Sequence, residues 1–288
     1  MSGRTLCSFT LFCIVLLSCL LTPFTGVSAQ AGGFDLFAGE TLFAEGWRAN
    51  ESYIYVNRRG VDDQSLITEV TYGLLPGFNL SALVPWIHRR VDSRYPEGVD
   101  RDFTLNGLGD LGLLAKYRAH HHQWEGGGAL AWSVIGGLSV PTGDDNARRD
   151  GREVPSGLQL GTGTWDPLAA TAVTLEIGRW RFDGNLFYVH GFHGDLDGGT
   201  WSAKAEAGYR FLLRPYPGPS ANAKLGLRWR NEGRGDRAKR LFLRTGISAH
   251  PRADLDLGLF VEVPMWQSLD DEARRTDLRA QFVIGLRF

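Results

Sequence analysis

A chain of 288 residues with 31 basic and 32 acidic side chains is close to neutral, which argues against nucleic acid as a partner. Its cysteines, Cys7, Cys13 and Cys19, all lie near the N-terminus, so the rest of the chain has no thiol for a disulfide, a thiolate metal site or a cysteine nucleophile. No later apolar run is long enough to cross a bilayer as a helix, and a mean hydropathy of −0.17 also suits a barrel whose strands turn half their side chains to a polar interior.

Residues 1–31 read as a signal peptide: Arg4 gives the positive start, Leu6 to Leu21 the apolar stretch, and Ala29-Gln30-Ala31 the small-residue cleavage site. Leu16-Leu17-Ser18-Cys19 resembles a lipidation site, but the apolar stretch runs on past Cys19 through Leu20 and Leu21. Residues 32–45 are expected to form an N-terminal periplasmic segment and residues 46–288 one domain.

That domain repeats one pattern, segments of about ten residues that alternate apolar and polar between turn residues. Ala221, Ala223, Leu225, Leu227 and Trp229 take one side of a segment and Asn222, Lys224, Gly226, Arg228 and Arg230 the other. A helix could not sort them, because residues two apart on it point to nearly opposite sides. Twelve strands are expected, over 46–57, 65–74, 78–89, 107–119, 127–141, 166–177, 180–190, 200–212, 221–231, 240–249, 254–266 and 277–288. The first loses phase between Ala49 and Tyr53. Tight turns at Leu75-Pro76-Gly77 and Gly178-Arg179 contrast with long charged loops over 90–106 and 142–165.

The last segment sets Leu278, Ala280, Phe282, Ile284, Leu286 and Phe288 against Arg279, Gln281, Val283, Gly285 and Arg287. A terminal aromatic after alternating apolar residues resembles the signal read by the outer-membrane assembly machinery; in a soluble sheet it would be an exposed, aggregation-prone edge. The expected fold is therefore all-β, a transmembrane antiparallel up-and-down β-barrel of about twelve strands in the cell outer membrane. A spanning sheet must close because lipid offers no partner to an unpaired N–H or C=O. Ten or fourteen strands would also place both termini on one side.

Chemistry is expected on the inward face. Its basic residues include Lys116, Arg118, Arg181, Lys204, Arg210, Lys224, Arg228, Arg230, Arg244, Arg279 and Arg287, and its acidic ones Glu69, Asp110, Asp166, Asp183, Glu206, Asp256 and Glu262. Two readings stand: a ladder of cross-strand ion pairs filling the interior, or a basic wall biasing a pore toward anions. In the second, Lys204, Arg210, Lys224, Arg228 and Arg244 contact the solute's carboxylate, and Phe187, Phe242 and Phe260 its apolar body. His120-His121-His122 is expected in a solvated turn, His190 and His193 beside a glycine-rich loop; no metal site and no cofactor is expected. No His-x-Ser arrangement falls in any expected strand, so no enzyme is expected.

Several segments resemble the outer-membrane family named for the MetA pathway of phenol degradation. In order these are Tyr72-Gly73-Leu74 with Leu83-Val84-Pro85-Trp86, Gly107-Leu108-Gly109-Asp110 leading to Ala115-Lys116-Tyr117-Arg118, Gly137 to Asp144, and Gly161-Thr162-Gly163-Thr164-Trp165-Asp166. The resemblance covers about residues 65–180 and implies a porin-like transport role with no catalytic residues to carry over. The expected function is passive passage of small molecules, aromatic or other organic acids among them. The alternatives are a structural or adhesive barrel with a closed lumen and, more remotely, a lipid-modifying outer-membrane enzyme. The expected partners are outer-membrane lipid, the assembly machinery at Phe288 and a small solute.

Overall fold

The structure, a computed structural model, describes residues 37–92, 102–125, 127–149, 151–192, 198–214, 218–233, 238–270 and 275–288. The expected signal peptide, His193 and the middle of the 90–106 loop lie outside them. The strands are β1 (Trp47–Arg58), β2 (Val61–Leu75), β3 (Phe78–Val91), β4 (Phe103–Leu108), β5 (Leu111–Trp124), β6 (Gly128–Val140), β7 (Arg148–Arg149), β8 (Arg152–Glu153), β9 (Asp166–Ile177), β10 (Trp180–Gly191), β11 (Gly198–Leu213), β12 (Ser220–Glu232), β13 (Ala238–Arg252), β14 (Leu255–Leu269) and β15 (Thr276–Arg287).

Each strand except those of the small β7–β8 hairpin pairs antiparallel with its neighbour, and β1 pairs with both β2 and β15, so the sheet closes. β4 and β5 share one position: β4 covers Trp86 to Val91 of β3, and β5 covers Phe78 to Leu83. Counting them together, this is a closed antiparallel barrel of twelve strands. Trp47 and Phe288 exchange backbone hydrogen bonds of 2.7 and 2.9 Å across the seam. This pair lies at the end that also carries the tight turns, periplasmic in outer-membrane barrels, and from it the seam runs the length of β1 and β15.

The alternation places side chains as the sequence predicts. Leu225, Leu227, Ile247, Leu259 and Met265 are exposed on the outer belt. Ring pairs mark its two rims, Trp47–Tyr72 (4.6 Å) and Trp180–Tyr209 (5.0 Å) at the periplasmic end and Tyr188–Trp201 (4.4 Å) at the other. Two hydrogen bonds join polar groups on this face: Trp132 Nε1 donates to Thr171 Oγ1 (2.7 Å) and Thr68 Oγ1 to Glu51 Oε1 (2.8 Å). Leu227→Arg should therefore cost roughly 2–4 kcal/mol, the range for a cation on a barrel's lipid face near the midplane. Reversible urea unfolding in lipid vesicles measures it, and a loss near zero would mean that this face does not meet hydrocarbon.

The expected strand over 46–57 is present, and two other expectations need correction. β1 is continuous; its pattern is blurred because Glu51 lies on the outer face while Ile54 and Val56 point inward, as their registers with Thr68, Ser65 and Asp63 show. The expected 90–106 loop is shorter, because β3 runs to Val91 and β4 begins at Phe103. His120 to His122 belong to β5, which continues to Trp124; a bulge after Arg118 absorbs the phase, and His120 and His122 stack at 6.5 Å.

Candidate functional site

The 141–165 connection folds into the barrel mouth and packs on the inward face. Ala147, Val154, Leu158 and Leu160 form one buried cluster with Val61, Val91 and Leu105, with Ile87 and Phe103 packed against it. Gln159 ties the fold together: its side-chain amide donates to the carbonyls of Ala147 (3.3 Å) and Val154 (2.7 Å) and its Oε1 accepts from Ala147 N–H (3.0 Å). Arg89, itself paired with Asp63, donates to the Gln159 carbonyl (3.0 Å).

The root of this loop explains the glycine-rich motifs. Asp110 sits in the break between β4 and β5, where its carboxylate accepts from Gly143 N–H (3.0 Å) and from Thr162 N–H (2.7 Å) and Oγ1 (2.9 Å). Gly143 and Gly161 approach so closely that a Cβ on either would overlap the other's backbone. Asp110 is therefore an anchor for the loop and not part of the strand lining.

Residues 37–46 lie against the inward face at the periplasmic end. Gly39 N–H donates to Thr174 Oγ1 (3.0 Å), and Ser133 Oγ donates to the Gly39 carbonyl (2.6 Å). A Cβ on Gly39 would overlap the backbone of Ala131 and Thr174. Arg181 holds Glu40 through two hydrogen bonds (3.2 and 3.0 Å), and the Phe37 ring meets Phe187 edge-on at 5.1 Å.

Between strap and loop the interior is a network of ions. Glu206 is bound by Lys224 (2.9 Å) and Arg244 (3.0 Å), and Glu262 by Arg244 (2.7 Å) and Arg228 (3.4 Å), with Arg279 at 3.9 Å. Arg244 also stacks its guanidinium on Phe260 (4.1 Å), a cation–π contact in a desolvated setting. Nearer the periplasm Arg181 spans Asp183 (2.8 Å) and Glu176 (2.9 Å), and Asp256 is ringed by His250, Arg287 and Arg48. Glu262 is 2 % and Asp256 0 % exposed, so water is largely excluded from these pairs.

Above the network a cavity of about 410 Å³ opens between the infolded loop and the wall of β12 to β15 and β1. Six arginines (Arg58, Arg89, Arg228, Arg230, Arg240 and Arg279) and four carboxylates (Asp63, Asp145, Glu232 and Glu262) line it, with Val56, Leu160 and Phe242 as its apolar part.

All five residues assigned from sequence to solute contact lie on the inward face. The registers place Lys204 opposite Asn185 and Arg228, Arg210 opposite Asn222, Lys224 opposite Gly208 and Gly246, and Arg244 opposite Gly226 and Glu262. Of the five only Arg228 reaches the cavity; Arg244 and Lys224 are engaged in the network, Arg210 pairs with Glu176, and Lys204 is half-buried beside Glu206 and the cations Lys224, Arg228 and Arg244. Of the inward aromatics Phe242 lines the cavity, Phe187 is covered by Phe37 and Phe260 by Arg244. Sequence reasoning missed Arg58, Asp63, Arg89, Glu232 and Arg240, which sit near strand ends where alternation gives way to loop. Apolar residues on the inward face of β2 to β4 at their loop ends (Val61, Ile87, Val91, Leu105) were the available sign that something packs inside there.

Residues 60–261 match the family described as "Putative MetA-pathway of phenol degradation", well over half of the chain. The chain belongs to that family. No curated protein matches the sequence. Among solved structures it is similar to the COG4313 outer membrane channel from Pseudomonas putida F1, with 18 % identity over 89 % of this chain and 100 % of that one and a TM-score of 0.63, a likeness of fold. The beta domain of the Bordetella autotransporter BrkA (18 % identity, 85 % and 99 % of the two chains, TM-score 0.46) and the KdgM porin (10 %, 83 % and 99 %, 0.43) are looser matches that carry no argument.

Proposed function

We propose that this member of the family is an outer-membrane channel for small organic anions, entered through the arginine-lined cavity. The observation that carries the reading is the inward face of β11 to β15. Lys204, Arg210, Lys224, Arg228, Arg230, Arg240, Arg244, Arg279 and Arg287 face Glu206, Glu232, Asp256 and Glu262 there, an excess of cations in a low-dielectric space. Such a lining attracts anions and repels cations. In this reading lipid surrounds the outer belt, and Phe288 is where the assembly machinery would recognise the barrel.

A second reading, a structural barrel with a closed lumen, draws support from the buried ion pairs and from the strap at the periplasmic end. Planar bilayers separate the two. Under a salt gradient the purified barrel should give a reversal potential of anion-selective sign. Cation selectivity would overturn the proposal, and the absence of any conductance would favour the closed barrel.

A further inference from the structure

The geometry points to a dianion-binding subsite in the cavity below the infolded loop, selective for a small dicarboxylate with a compact apolar body. The inference deepens the channel proposal and rests on it for the direction of passage, but the site itself is argued from its donors.

Every carboxylate in the paired part of the lining is shared. Asp63 serves Arg58 and Arg89, Glu232 serves Arg230 and Arg240, and Glu262 serves Arg228 and Arg244 with Arg279 more distant. A guanidinium carries five N–H donors and a carboxylate about four acceptor positions, so six of one against four of the other leaves donors in excess. Two of the lining arginines are the least engaged: among the described residues Arg58 pairs with Asp63 alone, and Arg279 approaches Glu262 only to 3.9 Å, while about a fifth of each side chain stays exposed. Guanidinium groups with donors to spare on a cavity wall favour an anionic occupant that accepts from them.

The placement of these two arginines sets the ligand's size. Val56 of β1 faces Arg279 of β15, and Arg58 is the next inward residue along β1, so the two cations are diagonal neighbours on adjacent strands, about 7–8 Å apart at their backbones. Val56 lies between them, with Phe242 and Leu160 on the same cavity. One carboxylate on each arginine and an apolar body against Val56 fits that pattern. The lining also carries a formal excess of two positive charges, which a dianion balances and a monoanion does not.

Isothermal titration of the detergent-solubilised full barrel with phthalate and with benzoate tests this without requiring conduction. Phthalate should bind at least roughly tenfold more tightly than benzoate, and Arg279→Gln should weaken phthalate by about tenfold or more, as expected for a lost hydrogen bond to a charged group. Arg279→Lys should restore little, because it keeps the charge and lacks the planar fork that holds a carboxylate bidentately. Heat-modifiable migration on gels establishes that each variant is folded; a variant that is not is replaced by Arg58→Gln, for which the same loss is expected. Equal affinities for the two acids, or phthalate binding untouched in the folded variants, would overturn the subsite. A barrel that binds phthalate yet gives no current in bilayers leaves the subsite standing and defeats the channel reading alone.

Discussion

Glu262→Gln is expected to destabilise the barrel by about 3–5 kcal/mol, the cost of removing one partner from a buried charge cluster. Glu262 is among the most buried acids of the interior and lies within ion-pair distance of Arg228, Arg244 and Arg279, drawn from β12, β13 and β15. The amide keeps the shape but leaves those guanidinium charges facing one another, with Arg244 retaining only Glu206 as an ionic partner. Replacing Arg244 by glutamine in the same chain removes part of the repulsion, so the double variant should be less destabilised than the two single effects added together. Urea unfolding in vesicles, followed by tryptophan fluorescence, measures all three. A loss below about 1 kcal/mol for Glu262→Gln would mean that the cluster is hydrated and behaves like a surface pair.

Gly39→Val should release the strap and raise single-channel conductance severalfold without moving the unfolding midpoint. The added side chain would overlap the backbone of Ala131 and Thr174, so the segment cannot keep its seat. Its other attachments include the Phe37–Phe187 contact, the packing of Phe37 on Leu114, Ile135 and Ala172, the Asn185 bond to the Phe37 carbonyl, the Glu40–Arg181 pair and the Glu45 N–H bond to the Gly73 carbonyl. The wall survives their loss because Arg181 retains Asp183 and Glu176, in contrast to the arginines around Glu262. Planar-bilayer recording before and after the substitution decides the matter. Unchanged conductance would show that the strap does not limit the path and that the closure, if any, lies in the ion network.

Much of the barrel is legible without coordinates because the strand period is two and the two solvents are so different. In β12 the alternation of Ala223, Leu225, Leu227 and Trp229 with Lys224, Arg228 and Arg230 assigns each residue to lipid or lumen before any partner is known. It fails where one face carries the wrong polarity for its solvent. Glu51 on the outer face obscures β1, and the run of three histidines conceals the end of β5 because a bulge shifts the phase inside it.

The strand pattern determined which side chains share the interior, since that depends only on parity along one strand. It could not determine what they do there. Arg244 of β13 faces Glu262 of β14 and reaches across Gly226 of β12 to Glu206 of β11 because the four strands pair in a particular register, and Glu40 reaches Arg181 from 141 residues away in the chain. The infolded loop likewise lies where it does because inward apolar residues of β2 to β4 have no lipid to meet and bury against Leu158 and Leu160. Pairing, occupancy and the shape of the cavity are contacts between segments remote in sequence, and periodicity within a segment carries no information about them.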